Sequence, residues 1–303
     1  MSDPIPVFVN AGGGAAKAKG DALREELIAA FADVGATIDL QLLEGDCLQQ
    51  AIAARAGVPL VVVGGGDGTL GCAAQAILDH SGGEDRATLG ILPLGTLNHF
   101  AKELGIPASL KEAAAVIVAG RSRRVDLGRV NGRVFLNNAS IGLYPLMVRE
   151  REAKQERGLP KWLAAVPAAR EALRKLPTLR LRLDLPDGAR EVATPMLFVG
   201  NNRYSLELGK VGARASLTEG VMSVFAVSKR SRMGLVGFAL RVLLGQADSA
   251  RDFDEVVETS RFSVDDGGSD RQIGIDGEVA ELDMPLEFEI LPRALAVVVP
   301  SDR

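Results

Sequence analysis

Apolar positions in the first 120 residues follow two alternating rhythms. Short runs that are apolar almost throughout, at 5–9, 61–63 and 89–92, read as strands buried on both faces, and each stops at a turn rich in glycine or asparagine. Between them apolar residues recur at helical spacing: Leu23, Leu27, Ile28, Phe31 and Val34 mark a helix over 21–34. A strand near 36–40, a helix near 47–56, a helix over 70–78 and a helix-like 99–104 continue the series. Strand and helix alternate to about residue 119, which predicts a doubly wound parallel sheet.

After residue 120 the pattern changes. Segments 123–130 and 133–140 flank Asn131-Gly132, a strong hairpin signal, and Asp187-Gly188 supplies another. Strand-like stretches follow at 178–185, 192–199, 221–227, 262–264 and 286–291. The second half therefore reads as a mostly antiparallel, sandwich-like β domain with inserted helices. The expected division is an α/β domain over 1–120 and a β-rich domain over 121–293, with 294–303 returning to the first.

Composition narrows the classes. Apolar residues make up 47% of the 303-residue chain and charged ones 24%, as in ordinary globular proteins, while aromatics are only 4%, so the cores rest on Leu, Val, Ile and Ala. A net charge of −4 argues against nucleic acid as a partner. Cys47 and Cys72 form no metal or disulfide pattern, which suits a reducing compartment. The opening Met-Ser-Asp-Pro-Ile-Pro lacks the basic and long apolar regions of a secretory leader, and no apolar run reaches the roughly 20 residues of a membrane span. The expected location is cytoplasmic, with any lipid approached from the water side.

The chemistry concentrates at strand ends. The run Val61-Val62-Val63 stops at Gly64, followed by Gly65-Gly66-Asp67-Gly68-Thr69 and then a helix. Such a turn presents bare backbone N–H groups at a helix N-terminus, where phosphate is well held. Asp67 is the discordant member: a carboxylate beside phosphates repels them unless a cation or a transferable proton intervenes. That combination points to metal-assisted phosphoryl transfer. A plain Gly-rich turn after a buried strand is the alternative. Pro93-Leu94-Gly95-Thr96-Leu97-Asn98 repeats the arrangement about thirty residues later, as neighbouring strands of one parallel sheet would. The dinucleotide fingerprint and the P-loop are both missing. For Thr96 and Asn98, nucleotide contact competes with helix capping. For Asp276, in Gly274-Ile275-Asp276-Gly277-Glu278, catalysis competes with an ordinary turn aspartate.

Four segments carry a resemblance: Gly65-Gly66-Asp67-Gly68-Thr69, Pro93-Leu94-Gly95-Thr96-Leu97-Asn98, Phe135-Leu136-Asn137 leading to Ser140-Ile141-Gly142, and Ile275-Asp276-Gly277-Glu278. In this order they resemble the diacylglycerol kinase catalytic-domain family, which takes in bacterial diacylglycerol kinases, phosphatidylglycerol-type lipid kinases, and sphingosine and ceramide kinases. The first motif is shared with NAD kinases and, more loosely, with 6-phosphofructokinases. The resemblance implies an N-terminal nucleotide-binding domain of NAD kinase/phosphofructokinase type and a C-terminal β-rich domain. It implies an ATP- and magnesium-dependent kinase that phosphorylates a lipid hydroxyl. Diacylglycerol is the default acceptor, with phosphatidylglycerol, ceramide or a sphingoid base as alternatives. In this reading Asp276 is the base, and Asp67 is the second candidate, as base or acting through magnesium. Asn10, Gly65, Gly66, Asp67, Gly68, Thr69, Gly95, Thr96, Asn98 and Glu278 lie on the nucleotide side. Asp126 and Glu219 are the metal candidates that the resemblance suggests.

Departures from the family pattern qualify this reading. The family usually has an Asn-Pro-x-Ser-Gly turn where this chain has Asn10-Ala11-Gly12-Gly13-Gly14. Leu70-Gly71-Cys72 lacks a glutamate that relatives carry after the first motif, and His99 replaces an aspartate. Glu219 stands where the family has aspartate, and its extra methylene displaces the carboxylate. For Asp126 a surface ion pair with a nearby arginine is the alternative. Segment 149–182 holds ten Lys/Arg against four Glu and the only tryptophan, Trp162, which suits docking on an anionic membrane surface. A pair of solvated, ion-paired helices is the other reading. An NAD kinase is the rival enzyme, although its later Asn-Glu pair is not apparent here. A nucleotide-binding regulator without catalysis is the rival of a different class. Relatives make a homodimer plausible, but no stripe in the chain marks a partner surface.

Overall fold

A computed structural model describes residues 3–13, 17, 19–80, 87–142, 178–204, 214, 216–227 and 253–301. The basic segment with Trp162 lies outside the described residues, except for 178–182. The chain forms two compact units, Met1–Leu127 with Pro292–Arg303, and Gly128–Leu291.

In the first unit, β1 (Ile5–Asn10), β2 (Ile38–Leu43), β3 (Leu60–Gly65) and β4 (Thr88–Pro93) form a parallel sheet in the order β2-β1-β3-β4. The last part of a 14-residue strand, Leu286–Val299, adds to it in parallel, with Val297 opposite Leu89. Helices α1 (Asp21–Ala32), α2 (Gly45–Ala53) and α3 (Asp67–Asp79) make the crossovers, followed by α4 (His99–Glu103) and α5 (Leu110–Ala119). Val61, Val62 and Val63 of β3 are wholly buried, as expected of a strand covered on both faces. Leu23, Leu27 and Phe31 fix the inner face of α1, while Ile28 of the same expected stripe is exposed.

The strand order reverses between β1 and β3. Ligands of doubly wound sheets collect at the carboxyl ends of strands beside such a switch point. Here β1 ends at Asn10 and β3 at Gly65.

The second unit packs two antiparallel sheets on one core. One runs β12 (Phe253–Thr259), β11 (Met222–Val227), β10 (Met196–Asn201), β7 (Asn138–Gly142), β14 (Asp270–Ile275), β15 (Glu278–Asp283). The other contains β8 (Leu179–Leu185), β9 (Gly188–Thr194), β13 (Arg261–Asp265) and the first part of β16 (Leu286–Val299). Leu181, Leu183, Val264 and Phe288 meet Ile141, Leu197, Val224 and Ile273 in the shared core. The ring of Phe262 stacks on Phe288 at 4.8 Å.

Three sequence expectations change in detail. The hairpin at Asn131-Gly132 joins β5 (Arg121–Val130) to β6 (Arg133–Phe135), and both turn residues have positive φ, 43° and 84°. The expected strand 133–140, however, is two strands, β6 and β7. The expected strand 192–199 also breaks, at Pro195, which has no N–H for a ladder; β9 stays with β8 while β10 joins the other sheet. At the second hairpin Leu185 pairs with Gly188, so the turn is centred on Pro186-Asp187 rather than on Asp187-Gly188.

Candidate active site

Two strand-to-helix turns of the first unit are locked into one structure. Gly66 is the N-cap of α3, and no side chain caps that helix. Its first intrahelical bond runs from Leu70 N–H to the Gly66 carbonyl, so the preceding N–H groups face the strand end, as an anion site requires. The neighbouring turn, Gly95 to Asn98, packs directly against this one. A Cβ on Gly95 would stand 2.4 Å from Gly66 Cα and 3.0 Å from Gly66 N, and one on Gly65 2.5 Å from Thr69 Cβ. Gly95 and Gly66 are therefore demanded by one turn packing on the other, and Gly65 by Thr69 of the helix that follows it, whatever ligand they meet.

Asp67 joins the same two turns. Its Oδ2 accepts the His99 N–H at 3.1 Å and its Oδ1 the Phe100 N–H at 3.0 Å, so it caps the one-turn helix α4 from a distance of 32 residues. Asn98, at the N-cap position itself, does not use its side chain as a cap. It lies in the left-handed region, φ 49°, and closes its own loop instead. Its Oδ1 accepts the Gly95 N–H at 2.9 Å, and its amide donates to the carbonyls of Gly95 at 2.8 Å and Pro93 at 3.2 Å. The capping that stood as the alternative for Asn98 thus falls to Asp67. Thr96 and Leu97 stand exposed at the tip, Leu97 by 58%. Across the switch point Asn10 Nδ2 donates to Thr69 Oγ1 at 2.9 Å, and Asn10 Oδ1 accepts the Gly12 N–H.

The second unit holds the other carboxylate. Asp276 and Gly277 are the central pair of the β14–β15 hairpin, with φ of 47° and 94°. The turn reading is therefore correct, yet the side chain is not an idle one. Its Oδ2 accepts the Leu136 N–H at 2.7 Å, and its Oδ1 accepts those of Asn137 at 2.8 Å and Asn138 at 3.2 Å. Burial pushes the carboxyl up to about 6, against the opposing pull of these three N–H groups and the positive charge of Arg214. A carboxyl poised there is suited to accept a proton near neutral pH. Glu278, two residues on, is exposed.

Behind the three N–H groups lies a buried polar network that the sequence did not reveal. Arg214, 8% exposed, donates to the Leu136 carbonyl at 2.7 Å, the Asn201 carbonyl at 3.1 Å and Asn137 Oδ1 at 2.8 Å. Asn201 Nδ2 also donates to the Leu136 carbonyl, and the Tyr204 hydroxyl to that of Asn137, both at 2.8 Å. Asn202 donates to Asn201 Oδ1 and accepts the Glu219 N–H. The Asn201-Asn202 doublet closing a strand was the available signal, since two amides placed there need partners.

The metal candidates are each engaged by backbone. Asp126 is 1% exposed and accepts the Arg293 N–H at 2.7 Å, so a surface ion pair does not describe it. Glu219 Oε2 accepts the Arg203 N–H at 3.2 Å. Among the described residues no three His, Cys, Asp or Glu side chains gather into a metal cage. Nor, among them, is any helix long and apolar enough to cross a membrane.

The fold and these turns define a class: a doubly wound α/β unit with a glycine-rich, uncapped helix N-terminus at a strand end, followed by a β-sandwich. Residues 4–130 match the family described as "Diacylglycerol kinase catalytic domain", and residues 147–299 the "YegS C-terminal NAD kinase beta sandwich-like domain". The chain belongs to the diacylglycerol kinase catalytic-domain family. It is 28% identical over 249 residues to the diacylglycerol kinase of Bacillus subtilis (strain 168), covering 80% of this chain and 78% of that one. With the diacylglycerol kinase of Staphylococcus aureus (strain JH9) it shares 26% over 243 residues, covering 80% and 75%. A crystal structure from Bacillus anthracis str. Sterne superposes with a TM-score of 0.73 over 98% of this chain and 95% of its own, at 22% identity. A diacylglycerol kinase from the same organism gives 0.66 over 98% and 96%, at 19% identity. At such identities these two likenesses speak to fold alone.

Proposed function

We propose that this protein is a lipid kinase that transfers the γ-phosphoryl group of ATP to a lipid hydroxyl, with diacylglycerol as the acceptor. The observation that carries the reading is the Asp276 carboxyl, gripped by three N–H groups and pushed up to about 6 by burial. The names of the relatives support the acceptor class, and the uncapped N-terminus of α3 fits the phosphates.

In the reaction Asp276 takes the proton from the attacking hydroxyl at a carboxylate oxygen, and the lipid oxygen displaces ADP from the γ-phosphorus. The N–H groups of Leu136, Asn137 and Asn138 keep the carboxylate aimed. Backbone N–H groups after Gly66 hold the phosphates, and Asp67 keeps the Gly95–Asn98 turn beside them. When bound, magnesium would neutralise charge on the transferring phosphoryl group. Its ligands would be mostly phosphate oxygens and water. Access to the lipid would come by peripheral contact with an anionic membrane surface.

The test is transfer of radiolabel from ATP, with magnesium, to diacylglycerol, ceramide, sphingosine or phosphatidylglycerol in mixed micelles, with NAD as control acceptor. Labelled diacylglycerol that disappears in Asp276→Asn supports the reading. Label on NAD, or on no acceptor, overturns it.

A further inference from the structure

We propose that Arg214 is the positioning residue of Asp276: through the Leu136–Asn137 peptide plane its guanidinium aims the Asn137 N–H that holds the carboxylate, and it sets a fixed positive charge behind that carboxylate. The inference rests on the reading of Asp276 as the base, and it concerns what makes that carboxyl usable.

In a trans peptide the carbonyl and the N–H point in opposite directions from one rigid plane. The Leu136 carbonyl and the Asn137 N–H belong to one such plane. Arg214 Nη1 donates to that carbonyl at 2.7 Å, and the N–H at the far side donates to Asp276 Oδ1 at 2.8 Å. The series runs guanidinium, carbonyl, N–H, carboxylate, with a full positive charge at one end and a negative one at the other. Each bond polarises the next, and inside a protein such chains are stronger than their separate links.

The neighbouring plane is held in the same manner without a charge. The Asn137 carbonyl accepts from the Tyr204 hydroxyl at 2.8 Å and the Asn201 N–H at 2.9 Å, and the Asn138 N–H across that plane reaches Oδ1 at a longer 3.2 Å. The shorter of these two bonds lies on the plane that Arg214 grips. Nη2 of the same guanidinium bonds Asn137 Oδ1 at 2.8 Å, and the group lies 5.5 Å from the Tyr204 ring centroid, so its fork is fixed on several sides. A lysine offers no such fork.

Other charges nearby are otherwise engaged. Arg203 pairs with Glu258 at 2.8 Å, Glu219 accepts the Arg203 N–H, and Glu278 is exposed. Among the described residues Arg214 is the cation whose field opposes the effect of burial on Asp276, beside the larger opposing effect of the three N–H groups.

The experiment follows the Asp276 carboxyl carbon by NMR in [13C]aspartate-labelled protein, assigned with Asp276→Asn, in wild type, R214M, R214K and Y204F. The expected result is a midpoint that rises by roughly half a unit or more in R214M, since an opposite charge is lost. Y204F, which removes a bond but no charge, leaves the midpoint in place. The acid limb of kcat/KM for the lipid moves with the NMR midpoint. R214K keeps a charge without the fork and lowers kcat about tenfold or more with little change in KM. An unmoved midpoint in folded R214M overturns the proposal. Should R214M not fold, an R214K kcat within twofold of wild type overturns it instead. If wild type phosphorylates no lipid, the functional reading fails while the NMR titration still judges Arg214.

Discussion

Asp67 offers the sharpest separation of scaffold from chemistry. Asp67→Ala removes both acceptors of the α4 first turn, the bonds from His99 N–H at 3.1 Å and Phe100 N–H at 3.0 Å. An N-terminal cap is worth about 0.5–2 kcal/mol, and hydrogen bonds to a charged group about 1.5–3 kcal/mol when buried. Asp67 is only half-buried and α4 spans five residues, too few to stand alone, so a loss of about 2 kcal/mol is expected. Asp67→Asn keeps one acceptor oxygen but turns an NH2 towards an N–H, and should cost about half as much. In melting temperature this is a fall of roughly 4–8 °C for Ala and 2–4 °C for Asn. Calorimetry gives the melting shift, and an ATP titration gives the binding loss that follows when the Gly95–Asn98 turn loosens. If Asp67→Ala melts within about 1 °C of wild type while losing activity, Asp67 is a chemical group alone and the scaffold argument is wrong.

Gly95→Ala places a Cβ 2.4 Å from Gly66 Cα and 2.6 Å from Asn98 Oδ1, so the two turns must part; a stability loss of about 1–3 kcal/mol and weaker ATP binding should appear together. Asn98→Asp sets a carboxylate oxygen against the Gly95 and Pro93 carbonyls, and about a tenfold rise in the ATP Kd is expected, whereas exposed Thr96→Ala should leave melting unchanged. Activity should fall as pH drops through about 6, where Asp276 takes up its proton. The stability linkage has the sign of a raised carboxyl: the contribution is full below the ordinary value of 3.8 and is lost as pH rises through about 6, a slope that Asp276→Asn should abolish in melting curves. Asp276→Asn should lower kcat by about 10²–10⁴ with ATP binding kept, and a loss of less than tenfold would remove Asp276 as base.

What could be read in the sequence was local. The all-apolar run before Gly64 and the Asn131-Gly132 and Asp276-Gly277 turns carry their reasons within a few residues. What could not be read depends on chain segments far apart. Arg214 sits in Gly212-Ala213-Arg214-Ala215, which reads as surface, yet it bonds a carbonyl 78 residues away. The Asp276 carboxyl meets N–H groups about 140 residues upstream, and no periodicity encodes such a meeting. The stretch 192–199 reads as one strand because its apolar residues run across Pro195, yet the two sheets claim its halves.

The same distinction tells how much weight the departures from the family pattern should bear. A glutamate missing from Leu70-Gly71-Cys72 would matter most if those positions formed the cradle. Leu70 is instead wholly buried and Cys72 partly so, on a helix whose inner face is core. The proposed cradle consists of backbone, and the shape of the two turns is set by Gly65 against Thr69 and Gly66 against Gly95, all of them present. Changes along α3 therefore leave the packing of the two turns standing while altering what surrounds it. The glycines report the packing of two turns, and the chemistry has to be argued from the carboxylates those turns and hairpins hold. Both carboxylates accept backbone N–H groups at both oxygens: Asp67 those that open α4, Asp276 those of Leu136, Asn137 and Asn138, with burial pushing the Asp276 carboxyl up to about 6. Asp276 combines a fixed position with a carboxyl pushed up to about 6, and the proposal of a base rests there.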